Sequence, residues 1–141
     1  MANSTPSTEQ EVPPEWLRLL YQLAHSDIRW AKEQGWRVVN WALLLYAANL
    51  GLHRLLKDVP TTSFALLDAA IGVIAVVYLA DLHHFASGTR ASAFMIQAQI
   101  PGVGGFLQHR QSDRNHVAYF VVQVAVVIVS LVLAVLALPY V

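Results

Sequence analysis

The sequence predicts an all-α integral membrane protein with three transmembrane helices, and three observations lead to this fold class. Of 141 residues, 56 % are hydrophobic and only 13 % are charged, whereas a soluble domain of this size needs a larger charged surface. Residues 117–138 form a run without a formal charge that is long enough to cross a bilayer. No proline falls within residues 15–59, so one long helix can form there.

The first element is a short tail followed by an amphipathic helix. Residues 1–14 lack a basic region followed by an apolar stretch, so we expect a disordered tail and not a cleavable signal. The helix starts after Pro14 and continues past Gly35 without a break. Over residues 15–37, polar side chains recur every three or four positions, which indicates an amphipathic helix that protrudes from the membrane. The apolar residues expected on its other face are Trp16, Leu19, Leu20, Leu23, Trp30 and Ala31.

The three spans follow at residues 38–56, 64–82 and 117–138. The first span is bordered by aromatic and basic residues at both ends, as is typical of segments that end at the headgroups. The third span has Gln123 and Ser130 as its polar side chains, and a mid-depth glutamine is expected to face another protein surface.

The distribution of basic residues predicts the orientation. Seven flank the N-terminal and connector side, and two flank the first loop. The positive-inside rule therefore favours a cytoplasmic N-terminus and an external C-terminus in a bacterial-type inner membrane. The two groups are Arg18, Arg29, Lys32, Arg37, Arg90, Arg110 and Arg114 on one side, and Arg54 and Lys57 on the other.

Residues 83–116 are the predicted connector between spans two and three. Chain irregularity is expected from Ser87 onward, with a short helix at 91–99 and then a glycine-rich turn. Such a segment is either re-entrant, where irregular backbone must line a cavity, or interfacial with a flexible hinge. The residues of the turn are Pro101, Gly102, Gly104 and Gly105.

Three histidines and an aspartate fall at the same predicted membrane surface. Imidazoles with a carboxylate can hold a transition metal or haem iron. The alternative is ordinary interfacial histidine, because neighbouring residues on a helix point about 100° apart. The candidates are His83, His84, His116 and Asp81.

Polar residues inside the spans give the main candidate site. Asp68 lies about one turn inside span two, where an ionisable side chain needs a partner or water. If spans one and two are antiparallel, Asn49 and His53 lie at a similar depth. The predicted cluster of Asn49, His53 and Asp68 serves either helix adhesion or a proton or ion pathway. Small residues at a spacing of four, such as Ala47 with Gly51, allow close helix packing.

Composition excludes several other classes of function. Nine basic residues balance nine acidic ones, so nucleic acid is not an expected partner. The chain has no cysteine, which removes thiolate chemistry. No set of nucleophile, base and acid occurs on one element, so we expect neither an enzyme nor a cofactor.

The run from Trp16 to Ala48, with Asp27, Arg29, Lys32, Gln34 and Trp36 leading into span one, resembles the small SLATT-type bacterial membrane effectors of nucleotide-signalling antiphage systems. The resemblance covers about a third of the chain and implies no individual site residue. It implies a membrane-perturbing or ion-conducting effector.

The function expected from the sequence is therefore non-catalytic assembly in the inner membrane, as a homo-oligomer or within a complex. Two alternatives remain open. One is an accessory subunit of a respiratory, photosynthetic or transport complex, and the other is a haem- or metal-binding membrane protein that uses the interfacial histidines.

Overall fold

The computed structural model describes residues 14–98 and 109–140, with side chains over 15–96 and 117–140. Outside the turn at 56–60, all of these residues are helical, which confirms the all-α fold class. The predicted tail and the turn containing Pro101, Gly102, Gly104 and Gly105 lie outside the described residues. The elements are α1 (Pro14–Leu55), α2 (Thr61–Ala98), α3 (His109–Ala137) and a final 3₁₀ turn (Leu138–Tyr140).

Helix α1 is one uninterrupted helix, so the prediction that it passes Gly35 without a break is confirmed. Pro14 starts it, as suits a residue that lacks an N–H where that group would be unsatisfied. Arg54 lies in the last turn, where its positive charge complements the helix dipole. Pro60 follows the turn, and its carbonyl accepts a hydrogen bond from Ser63 N at 2.9 Å as α2 begins.

Helix α2 does not end near residue 82, and the expectation of irregular chain from Ser87 is wrong. The helix continues through the sequence Ser-Gly-Thr to Ala98. Its hydroxyl groups donate back to carbonyls of the preceding turn, which keeps these polar side chains compatible with a helix. The bonds are Ser87 to His84 O (2.8 Å), Thr89 to Phe85 O (3.0 Å) and Ser92 to Gly88 O (3.3 Å).

Helices α1 and α2 form a long antiparallel hairpin. Asn49 contacts Asp68 near the turn, and Trp30 meets Phe85 edge to face at 6.1 Å farther away. The residues that α1 buries are not the apolar set expected from the sequence. Of the six residues expected on the apolar face of the amphipathic helix, only Ala31 is buried. Small or slim side chains let the helices approach, and the bulky ones are left outside. Buried are Leu17, Ala24, Ile28 and Ala31, and exposed are Trp16, Leu19, Leu20, Leu23 and Trp30.

Helix α3 packs on one side of the hairpin and runs in the same direction as α1. Its Gln123 amide lies against Gly35, and its Leu131 lies against Gly72. Gln123 is therefore buried within its own chain, which corrects the expectation that it faces another protein. The apolar core shared by the three helices consists of Val39, Ala42, Tyr46, Ala75, Leu79, Val127 and Ala134.

Two helices in the described part of the chain are long and apolar enough to cross a membrane. These are Thr61–Ile96 and Val117–Tyr140. Only 28 % and 22 % of their most apolar windows are buried inside the protein, whereas the core helix of a soluble protein is mostly buried. Their exposed apolar surface therefore indicates a membrane location. Helix α1 is not among them, since Asn40 and Asn49 interrupt its apolar segment.

Candidate functional site

A pair of buried polar side chains joins α1 to α2 near the hairpin turn. The Asn49 amide Nδ2 donates to Asp68 Oδ1 at 2.8 Å and to the Phe64 carbonyl oxygen at 3.0 Å. Asp68 is 0 % exposed and Asn49 is 2 % exposed. Both protons of the amide are therefore used in holding the two helices together.

The hairpin itself produces this pairing. Asn49 lies two turns before the end of α1, and Asp68 lies two turns after the start of α2. Because the helices are antiparallel and the turn is short, these positions fall at the same depth. Each residue also occupies the buried face of its helix, which recurs at a spacing of three or four. On α1 that face includes Ala42 and Tyr46, and on α2 it includes Phe64 and Ala75.

His53 lies beside this pair, at the end nearer the turn. Its Nε2 is 3.3 Å from Thr61 Oγ1, and its ring meets Phe64 edge to face at 4.9 Å. Its buried Nδ1 has no hydrogen-bond partner. The structure thus brings Asn49 and Asp68 into direct contact and places His53 next to them across Phe64.

Tyr46 belongs to the same region and was missed at the level of sequence. It is 3 % exposed, and its buried hydroxyl has no hydrogen-bond partner. The hydroxyl occupies space that Gly72 leaves open, since a Cβ at that glycine would lie 3.0 Å from it. The spacing of three between Tyr46 and Asn49 puts both on one helical face and could have indicated that Tyr46 belongs to the cluster.

Three oxygens of this region are buried without a partner: Tyr46 OH, Asn49 Oδ1 and Asp68 Oδ2. Buried polar atoms are ordinarily satisfied by protein or by ordered water. The arrangement can therefore hold a proton, a water molecule or a small cation.

The three metal candidates whose side chains are described do not form one site. His84 and Asp81 are exposed, and His83 stacks on Phe120 at 4.5 Å between ring centroids. The side chain of His116 lies outside the described ones. Across residues 15–96 and 117–140, no group of three metal-ligating side chains occurs, so the haem or metal interpretation gains no geometric support.

A small cavity lies near His83 where the three helices meet. Its volume of about 20 Å³ suits a single water molecule and no cofactor. Lys32 lies at its edge, with its ammonium 5.1 Å from the centroid of the Tyr119 ring. Burial, and secondarily the positive charge of Arg90, lower the pKa of Lys32.

Comparison with known proteins adds no relative. No protein-family model matches this sequence, and no curated protein or solved structure is significantly similar to it.

Proposed function

We propose that this protein is a multi-pass inner-membrane protein that acts without catalysis, by assembling into a homo-oligomer through α1. In this proposal α1 is the third span, beside the two helices that are apolar enough to cross a membrane by themselves. The observation that carries the proposal is Asn40, a polar residue on the outer surface of the three-helix bundle.

Asn40 is exposed on α1, and its amide makes no hydrogen bond within the described chain. Its neighbours Val39 and Ala42 belong to the core shared by all three helices, so Asn40 lies midway along the bundle. An amide that faces lipid there has no water to bond, and asparagine in a span characteristically bonds across to another helix.

The surface around Asn40 suits a second helix. Ala47 and Gly51 lie on the same outward face, seven and eleven residues farther along α1, and both are exposed. Gly51 has no atom of its own chain within 4 Å of a Cβ built there. Small residues spaced by four let two backbones approach closely enough for interhelical hydrogen bonds. We call the surface formed by Asn40, Ala47 and Gly51 the α1 outer face.

The end of the hairpin far from the turn also has exposed apolar side chains that a partner could bury. Helices α1 and α2 are about 63 Å and 57 Å long at 1.5 Å per residue, roughly twice the hydrocarbon thickness of ~30 Å. The half that includes Trp16, Leu19 and Leu23 would stand outside the bilayer, yet these side chains are 57–61 % exposed. A protein neighbour would remove this apolar surface from water. Such an assembly is consistent with a membrane-perturbing or ion-conducting effector, which the resemblance to SLATT-type proteins implies.

The test of assembly is the substitution Asn40→Leu. It removes the amide while retaining size and apolar character, so the fold should persist. An interhelical hydrogen bond in a membrane contributes about 0.6 kcal/mol on average and up to about 1.7. We therefore expect the dissociation constant of the oligomer to rise roughly 3- to 20-fold. Sedimentation equilibrium over a detergent dilution series would measure it.

Leu66→Ala is the matched control, because Leu66 is 72 % exposed on α2, away from the α1 outer face. It should leave the dissociation constant unchanged. A wild-type protein that is monomeric throughout the series would contradict the homo-oligomer. Recovery of a stoichiometric complex with a different protein would instead favour the accessory-subunit alternative.

Orientation is a separate prediction of this proposal. With three spans and an excess of basic residues on the connector side, the N-terminus should be cytoplasmic and the C-terminus external. Single cysteines introduced at Ser4 and Val141 would report it, since the native chain has none. We expect an impermeant thiol reagent to label position 141 in intact cells and position 4 only after lysis. Equal protection of both positions would mean an even number of spans.

A further inference from the structure

We propose that Asp68 is a proton-binding site, which carries an exchangeable proton on Oδ2 inside the membrane. The inference rests on the membrane placement in the proposed function, but it does not depend on assembly. Three features of the region around Asp68 support it: its closure, the absence of a countercharge among the described residues, and the balance of hydrogen-bond donors and acceptors.

The site is closed to lipid and to water. Asp68 is 0 % exposed, and the side chains beside it on α1, Asn49 and Tyr46, are 2 % and 3 % exposed. Leu131 of α3 covers the next turn of α2 at Gly72. An isolated carboxylate in such surroundings loses its hydration, so it must be neutralised by a proton or a cation.

No basic side chain among the described residues neutralises Asp68. Its carboxyl group is affected by burial and by the hydrogen bond from Asn49, and by no positively charged group in the described part of the chain. On α1, the titratable groups nearest to it are Tyr46 and His53, the latter beyond Phe64. Among the described side chains of α3 and its 3₁₀ turn, at residues 117–140, the titratable groups are Tyr119 and Tyr140, and both are exposed. The next charged residue along α2 is Asp81, about 20 Å away at 1.5 Å per residue.

The count of donors and acceptors also favours a protonated carboxyl. Asn49 uses both amide protons, on Phe64 O and on Asp68 Oδ1. Asn49 Oδ1 and Asp68 Oδ2 then remain as two buried atoms without partners, and both are acceptors if Asp68 is ionised. A proton on Oδ2 converts one of them into a donor and removes the buried charge in the same step. The buried Tyr46 OH, which also has no partner, supplies a further hydroxyl proton in this region.

His53 lies on the side of the site that faces the hairpin turn, separated from Asp68 by Phe64. His53 is half-buried, contacts Phe64, and lies within hydrogen-bonding distance of the exposed Thr61. His53 therefore lies between the closed site and the exposed turn.

Infrared spectroscopy of the full-length protein in phosphatidylcholine vesicles tests the proton site. The expected result at neutral pH is one carbonyl band of a neutral carboxylic acid that shifts on transfer to D₂O. The band should be absent in Asp68→Asn, which can still accept the hydrogen bond from Asn49 and should fold. It should persist in Asp58→Asn, the matched control at an exposed aspartate of the turn.

Three results would overturn the assignment: no such band in the wild type, a band that persists in Asp68→Asn, or a band present in choline chloride that disappears in sodium chloride at the same pH. The last would show that a sodium ion occupies the site. Carbonate extraction of the same vesicles separates the two proposals. Release of the protein contradicts the membrane function, whereas an embedded protein without the band contradicts the proton site alone.

Discussion

Gly72→Leu should separate α3 from the α1–α2 hairpin and cause the largest loss of stability of any single substitution considered. A Cβ at position 72 would already lie 2.9 Å from Leu131 Cδ2 and 3.0 Å from Tyr46 OH. The remaining atoms of a leucine would add further volume at this contact, so Leu131 and Tyr46 would have to move. Forcing extra volume into a packed core costs about 1–3 kcal/mol and sometimes more, and here it acts on two helix contacts together.

Gly51→Leu is the control, because a Cβ there meets no atom within 4 Å. From helix propensity alone, Gly51→Leu should leave the free energy of unfolding unchanged or raise it by up to about 1 kcal/mol. Unfolding would be followed at high detergent-to-protein ratios, where each micelle holds one chain. Equal effects of the two substitutions would show that Gly72 is not a close-packing position. Under conditions of assembly, Gly51→Leu should in contrast weaken the oligomer, because it obstructs the α1 outer face.

Asn49→Leu should be the second most damaging substitution. It removes the only hydrogen bond that the structure gives to Asp68, and it also removes the one to Phe64 O. A buried polar group left without a partner costs about 1–3 kcal/mol, and more if it is charged. We therefore expect a loss of at least about 2 kcal/mol in the free energy of unfolding.

The double variant Asn49→Leu/Asp68→Leu is the informative comparison. It replaces both partners by apolar groups of similar size, so no orphaned carboxyl remains, and stability should largely return. The expected coupling free energy between the two sites is about 1 kcal/mol or more. Additive effects in the double-mutant cycle would mean that the contact at 2.8 Å contributes nothing to the fold.

Local sequence features were sufficient to predict α1 and the turn that follows it, but not the length of α2. The absence of proline after Pro14 is enough for the uninterrupted α1, and Pro60 for the turn after it. The contact between Asn49 and Asp68 was also predictable, because a short turn between antiparallel helices brings these two positions to a similar depth in the membrane. Tyr46 was missed because a tyrosine within an apolar segment gives no indication of whether its hydroxyl finds a partner.

The sequence by itself determined the all-α fold class seen in the described residues, and it showed that the chain has more apolar residues than a soluble fold of this size would bury. Only the tertiary structure decided which side chains face one another. Helix α1 buries Ala24 and Ile28 and leaves Trp16 and Leu23 exposed, and Gln123 packs on Gly35 of its own chain and not on another protein. The structure also showed that α2 continues to Ala98. The physical reason is that lipid-facing and protein-facing sides are both apolar, so hydrophobic periodicity does not separate them. Helix contact is decided instead by the close fit of small residues and by hydrogen bonds between helices, which depend on the three-dimensional arrangement.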